Sequence, residues 1–173
     1  MLFSRKKSES HIADRFTEIV NRYREPIYWF VRRQVVSHYD ADDVVQEVFI
    51  RAYRSLDNLR EENAVRPWLY RIAVNEIARF MASRYRNEGE LTDELSHQLT
   101  DGEYVDYDNA MAVTFQKALL TLSEKQRTVF ELRYYDEMPY EEISEICDTS
   151  VNTLKTTYHI ARQKVTDYIL NND

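Results

Sequence analysis

The residues best placed to do chemistry lie near the end of the 173-residue chain. Asn152, Thr153, Lys155, Thr156, His159 and Arg162 share one side of a stretch whose other side carries Val151, Leu154, Tyr158, Ala161, Val165 and Ile169 at three- or four-residue steps. That spacing predicts an amphipathic helix with amide, hydroxyl, imidazole and cationic groups outward. No acid occurs from Thr149 to Thr166, whereas the segment just before carries Glu141, Glu142 and Glu145. That segment has Ile143, Ile146 and Cys147 at helical spacing behind Pro139. The break Asp148-Thr149-Ser150 can cap whatever follows. Helix, tight turn and cation-bearing second helix form the arrangement that offers side chains to a DNA major groove. An ordinary amphipathic hairpin would share the periodicity but would not need to be stripped of acids.

A second set is arginine-rich. Arg66, Arg71, Arg79, Arg84 and Arg86 face a single acid, Glu76, and are interleaved with Trp68, Tyr70, Asn75 and Tyr85. Aromatic rings among cations suit single-stranded nucleic acid, where bases stack and phosphates are tracked by charge. A bland alternative places Trp68 in the core and leaves the arginines solvated. A third set is acidic: Asp42, Asp43, Gln46 and Glu47 line the polar edge of a stretch whose other side is Val44, Val45, Val48, Phe49, Ala52 and Tyr53. It serves either solubility and capping or docking of a basic partner helix.

Catalytic chemistry has little to build on. Gly89 and Gly102 are the only glycines, so neither a P-loop nor a dinucleotide fingerprint can be written. There is no HExxH and no CxxC pair, and His11, His38, His97 and His159 are far apart in sequence. The chain is expected to be no enzyme, with no cofactor and no metal. One cysteine, Cys147, forms no internal disulfide, which favours a reducing, cytoplasmic setting. No apolar run approaches the roughly 20 residues of a membrane span, and MLFSRKKSES lacks the apolar core of a signal peptide.

These sets need helices to hold them, and the pattern supplies helices throughout. Met1–Ser10 is expected to be a frayed start. Ile12 to about Ser37 reads as one or two helices, with Phe16, Ile19, Val20, Tyr23, Ile27, Phe30 and Val31 as the apolar stripe and Pro26 as a kink site. Asp40 is read as the N-cap of the acidic-edged helix, 58–66 as a loop, and Pro67 as the first residue of the Trp68 helix. Ser123 and Gln126 form a capping box. Net charge is −7, but Glu88 to Asp108 carries eight acids and no cation, so the remainder is +1 with its cations clustered. Twenty-one aperiodic residues are long for a loop within a domain. The expectation is an all-α protein: a first helical domain (1–87), an acidic linker (88–108) and a second domain (109–173) ending in the helix-turn-helix.

Three stretches together resemble the extracytoplasmic-function type of bacterial sigma factor, over nearly the whole chain. DADDVVQEVFIRAYRSL resembles that family's polymerase-binding helix, PWLYRIAVNEIARF its promoter-melting segment, and LSEKQRTVFELRYYDEMPYEEISEICDTSVNTLKTTYHIARQKV its C-terminal helix-turn-helix. The resemblance implies that Asp42, Asp43, Gln46 and Glu47 contact the largest subunit of core RNA polymerase. It implies that Asn63, Arg66, Trp68, Tyr70, Arg71, Asn75, Arg79, Arg84 and Arg86 engage the minus-ten element, with a flipped base in the 58–66 loop. Asn152, Thr153, Lys155, Thr156, His159 and Arg162 would meet the minus-thirty-five element. Core polymerase and promoter DNA, duplex and melted, are the implied partners, joined by a membrane-anchored anti-sigma factor in one compatible reading. Thr157 and Ile160 stand where the family commonly has cations, Arg79 where it often has Asp, and Cys147-Asp148 where it has a turn glycine. Phosphate attraction at the last helix is therefore expected to be weaker. The competing reading is a conventional helix-turn-helix regulator with residues 12–87 as sensor or dimerisation domain.

Overall fold

The computed structural model describes residues 2–35, 38–59, 61–88 and 110–172, with side chains for all of these but 2–10, 62, 85–88, 110, 112 and 113. Among them are seven α-helices and no strand: α1 (Leu2–Gln34), α2 (His38–Ser55), α3 (Val65–Glu88), α4 (Ala110–Leu120), α5 (Glu124–Tyr134), α6 (Tyr140–Cys147) and α7 (Val151–Asn171). None of the described helices is long and apolar enough to cross a membrane. The chain divides into two compact units, Met1–Arg79 and Phe80–Asp173. The stretch expected as an acidic linker lies, apart from Glu88, outside the described residues.

The first unit is built on α1 and α2, whose apolar stripes close on each other. Ile27, Phe30 and Val31 meet the small and β-branched side of α2, where Ala41, Val44, Val48 and Ala52 are all buried. Leu69, Tyr70 and Ala73 bring α3 into the same core, with the Tyr70 ring 5.3 Å from that of Phe30. Pro26 sits inside a continuous α1. It and Arg22 are exposed, so the carbonyl that loses its partner four residues back is reached by water.

Four local expectations are corrected here. Helix α1 begins at Leu2, so the first residues are helical, not frayed. Helix α2 begins at His38, which puts Asp40 in its first turn. Asp40 complements the helix dipole from within that turn. Residues 58–66 are not a plain loop: short 3-10 turns occupy Leu56–Asn58 and Glu62–Ala64, and α3 starts at Val65. Pro67 is thus third in its helix, still within the first turn whose amides have no intrahelical partner, so its missing N–H costs nothing there.

The second unit wraps α4, α5 and α6 around α7. Ala118, Leu119, Leu122, Phe130, Ala161 and Val165 form its centre, flanked by Phe115, Tyr158, Tyr168 and Ile169. The α5 start has the predicted capping box, Ser123 with Gln126. Between α5 and α6 the chain turns through Glu137 at φ 50° and buries Met138 completely. The Arg133 guanidinium donates to the Met138 carbonyl at 2.9 Å and fixes that turn.

Candidate polymerase and nucleic-acid interfaces

The turn that presents α7 is held by bonds between near neighbours. Asp148 ends α6 in the left-handed region, φ 48° and ψ 50°, a conformation that Asp tolerates better than most residues but less well than glycine. Its amide and that of Thr149 both return to the Ser144 carbonyl, while the Ser144 hydroxyl donates to the Thr149 carbonyl at 2.7 Å. Ser150 then caps α7, accepting from the Thr153 amide at 3.2 Å. Every one of these links spans five residues or fewer, so the helix-turn-helix angle is set by local chemistry.

Behind α7 lies an aromatic stack. The Phe130 ring is stacked on Tyr134 at 5.1 Å and on Tyr158 at 5.7 Å. Burial raises the Tyr158 phenol above its ordinary 10.0, and neighbouring Tyr140 adds to the rise against the lowering pull of Arg162 and Arg133. The ring therefore stays neutral while it packs. Tyr140 in turn carries the Arg133 guanidinium at 5.1 Å and the Lys155 ammonium at 5.9 Å from its ring centre, so Lys155 is leaned on an aromatic face. Asn152, Thr153, Lys155, Thr156, His159 and Arg162 are all exposed on one continuous side of α7. Lys164 reaches across to Gln126 Oε1 at 3.1 Å and ties α7 to the start of α5.

In the first unit Asp42 and Gln46 lie on the α1 side of α2 and Arg51 on the opposite flank, with Asp43, Glu47 and Arg54 between them on the exposed side. Asp42, Asp43, Gln46 and Glu47 are exposed, and Asp42 and Gln46 border a groove of about 950 Å³ between α1 and α2 that also holds Arg24, Tyr28 and Trp29. His38 links the groove's two walls, with Nδ1 2.6 Å from the Tyr28 hydroxyl and Nε2 3.4 Å from Asp42. Trp29 is an exposed indole that was not among the expected site residues, although its place on α1 lies off the apolar stripe of Ile27, Phe30 and Val31.

On the other flank, Glu76 of α3 is buried and receives two guanidinium groups on one oxygen: Arg51 of α2 at 2.5 Å and Arg79 at 2.7 Å. Both arginines remain about half open, 45% and 59% exposed, so the carboxylate acts as a buried anchor for cations that still face solvent. Together with Arg54, Ser55 and Asn75 they line a shallow cleft of about 330 Å³. Arg51 and Arg54 were not among the expected nucleic-acid residues. The available signal was Glu76 itself, an acid beside Ile77 on the apolar stripe of an otherwise basic helix.

The remaining residues of the arginine set separate. Trp68 and Arg66 are half-buried, Arg71 and Asn75 are exposed, and Asn63 is exposed in the turn before α3. Arg84 lies over the Phe80 ring at 5.9 Å. The side chains of Tyr85 and Arg86 fall outside the described residues. Tyr70 is a correction: 1% exposed and packed on Phe30, it has no free face for a base and belongs to the core.

Comparison with known proteins adds the following. The Sigma-70 region 2 family model matches residues 19–87, and that of Sigma-70, region 4 matches residues 112–165. The chain is 35% identical over 161 residues to the ECF RNA polymerase sigma factor SigW of Bacillus subtilis, covering 87% of this chain and 86% of the relative. It is 33% identical over 165 residues to the ECF RNA polymerase sigma-E factor of Haemophilus influenzae, covering 89% and 87%. Among solved structures, the sigma factor RpoE of Bartonella quintana, in complex with the anti-sigma factor NepR, superposes with a TM-score of 0.71 at 22% identity over 89% of this chain and 96% of that one. CnrH, in complex with the cytosolic domain of CnrY, superposes at 0.65 and 24% identity over 91% and 88%. At these identities the two structures speak for the fold.

Proposed function

This chain belongs to the extracytoplasmic-function group of the sigma-70 family, and we propose a division of its transcription-initiation work between three surfaces. The protein is a sigma factor that binds core RNA polymerase and directs promoter recognition and DNA melting. The observation that carries this is the pair of region models, met in order in one chain whose relatives align along more than four-fifths of their length. A conventional regulator is not favoured, because residues 19–87, which it would use for sensing or dimerisation, match region 2.

In our reading the exposed acids of α2 dock on the polymerase, and their supporting feature is an acidic edge beside an open groove with an exposed Trp29. The α3 surface engages the minus-ten element through Asn63, Arg66, Trp68, Arg71, Asn75, Arg79, Arg84 and Arg86. Arginines tracking phosphates and a half-open indole for stacking support this. Helix α7 enters the major groove at the minus-thirty-five element with Asn152, Thr153, Lys155, Thr156, His159 and Arg162. With few cations, α7 is a modest reader that works because both units are held on one polymerase, making the second contact intramolecular. One solved neighbour was captured with the anti-sigma factor NepR, and an inhibitor of that kind is part of the proposed partner set.

Run-off transcription tests the whole reading. Core enzyme with this protein should produce a promoter-dependent transcript that core enzyme alone does not. No gain on any promoter selected by the reconstituted holoenzyme would refute it.

A further inference from the structure

The outward side of α7 is not uniformly polar. Asn152, Thr156 and Ile160 stand at four-residue steps and form one row along the helix, with Thr153 next to it. The hydroxyls of that row are engaged by the protein itself. Thr156 Oγ1 donates to the Asn152 carbonyl at 3.1 Å, and Thr153 Oγ1 lies 2.8 Å from Ser150 Oγ in the cap. With its proton so engaged, the Thr156 hydroxyl can only accept from a partner, and the γ-methyl beside it adds an apolar contact. Ile160 continues the row with 40% of its surface open, on the side away from the buried Leu154, Ala161 and Val165. The row from Asn152 to Ile160 is about 12 Å long, comparable with the roughly 12 Å width of the major groove.

A β-branched aliphatic group in this position cannot pair with phosphate or with the acceptors of guanine. The apolar feature of the major groove is the C5-methyl of thymine, and the group that an amide reads bidentately is adenine N6/N7. We propose that Ile160, together with the methyl of Thr156, packs on a thymine C5-methyl in the upstream promoter element and is a specificity-determining residue of this protein. Asn152, at the other end of the same row of about 12 Å, then reads an adenine about three base pairs away. The proposal rests on α7 being the reader of that element.

The test uses holoenzyme assembled from core polymerase and the full chain, on promoter duplexes whose upstream six base pairs are randomised. The wild-type protein should enrich thymine at one or two positions. Replacing that thymine by deoxyuridine, which removes only the methyl, should weaken binding about fourfold, the worth of one buried carbon. Ile160→Ala should bind the thymine duplex correspondingly less well and lose the difference between thymine and deoxyuridine. Ile160→Arg should move the preference at that position toward guanine. Equal sensitivity to deoxyuridine in wild type and Ile160→Ala would overturn the proposal while leaving α7 as the reader. So would an Ile160→Ala protein that binds core polymerase less well with its base preference unchanged. If no upstream sequence is enriched at all, the assignment of α7 fails first, and the proposal with it.

Discussion

The two units hold their charged side chains in place by different means. In the second, the turn that presents α7 is set by contacts within five residues, the left-handed Asp148 and the Ser150 cap. Lys155 and Lys164 are then steadied separately by Tyr140 and Gln126. In the first, the cations at the α2–α3 junction are positioned by Glu76, which ties residues 51 and 79 across two helices. Local bonding defines an angle and can survive the loss of any one member. A buried carboxylate serving two guanidinium groups is a single point of failure, because removing it leaves two like charges facing each other beside the core.

The sharpest way to break that contrast is Glu76→Ala. It should destabilise the first unit by about 2 kcal/mol, less than a fully buried pair would cost because both arginines are half in water. Hydrogen exchange resolved by segment should show faster opening of α2 and α3 with α5 to α7 unchanged. Equal loss in both units would mean that they do not respond separately. Next in size, Asp43→Lys on the exposed side of α2 should weaken association with core polymerase about tenfold, roughly 1.4 kcal/mol, while circular dichroism stays that of the native fold. Full affinity in that variant would remove the docking assignment.

In the second unit, Lys155→Ala combined with Arg162→Ala should lower transcription several-fold on promoters with an intact minus-thirty-five element. It should also flatten the slope of log affinity against log salt by about 2, one per lost phosphate contact. An equal loss on promoters lacking the element would show that α7 does not read it. Ser150→Ala should cost about 1 kcal/mol, confined to α6 and α7 in the same exchange experiment. The smallest effect points the other way: Asp148→Gly should raise the melting stability of the second unit by about 0.5 kcal/mol, since glycine adopts the left-handed turn without a Cβ clash. A loss on that substitution would mean that the Asp148 side chain contributes more than its backbone strain costs.

How much of this was legible beforehand follows the same division. Apolar residues at three- or four-residue steps are enough to specify an amphipathic helix, so the α7 face and the acidic edge of α2 are readable from residue order. The Ser123 box and the Ser150 cap are readable too, since each contact spans three residues. Boundaries moved by a few residues where competing starts were available, as at His38 and Val65. The α2–α3 ion pair was not readable, because residues 51 and 76 lie on different helices and meet only in the packed unit. Tyr70 was misplaced for a related reason: Trp68, Tyr70 and Arg71 look equivalent in a basic aromatic stretch. Only the direction of α3 relative to Phe30 decides which ring is taken into the core.

Residue order alone therefore determined the helical class, the turn before α7, the charge of each exposed face and, through three motifs in sequence, the family. Short-range periodicity and capping are properties of neighbouring residues, and they need no tertiary context. Tertiary structure decided which aromatic rings remain open, that Arg51 joins Arg79 on a buried Glu76, and that the threonine hydroxyls beside Ile160 are turned onto the protein. Each of those depends on how two segments meet or on which hydrogen bond a side chain takes, and both are settled only when the chain has packed.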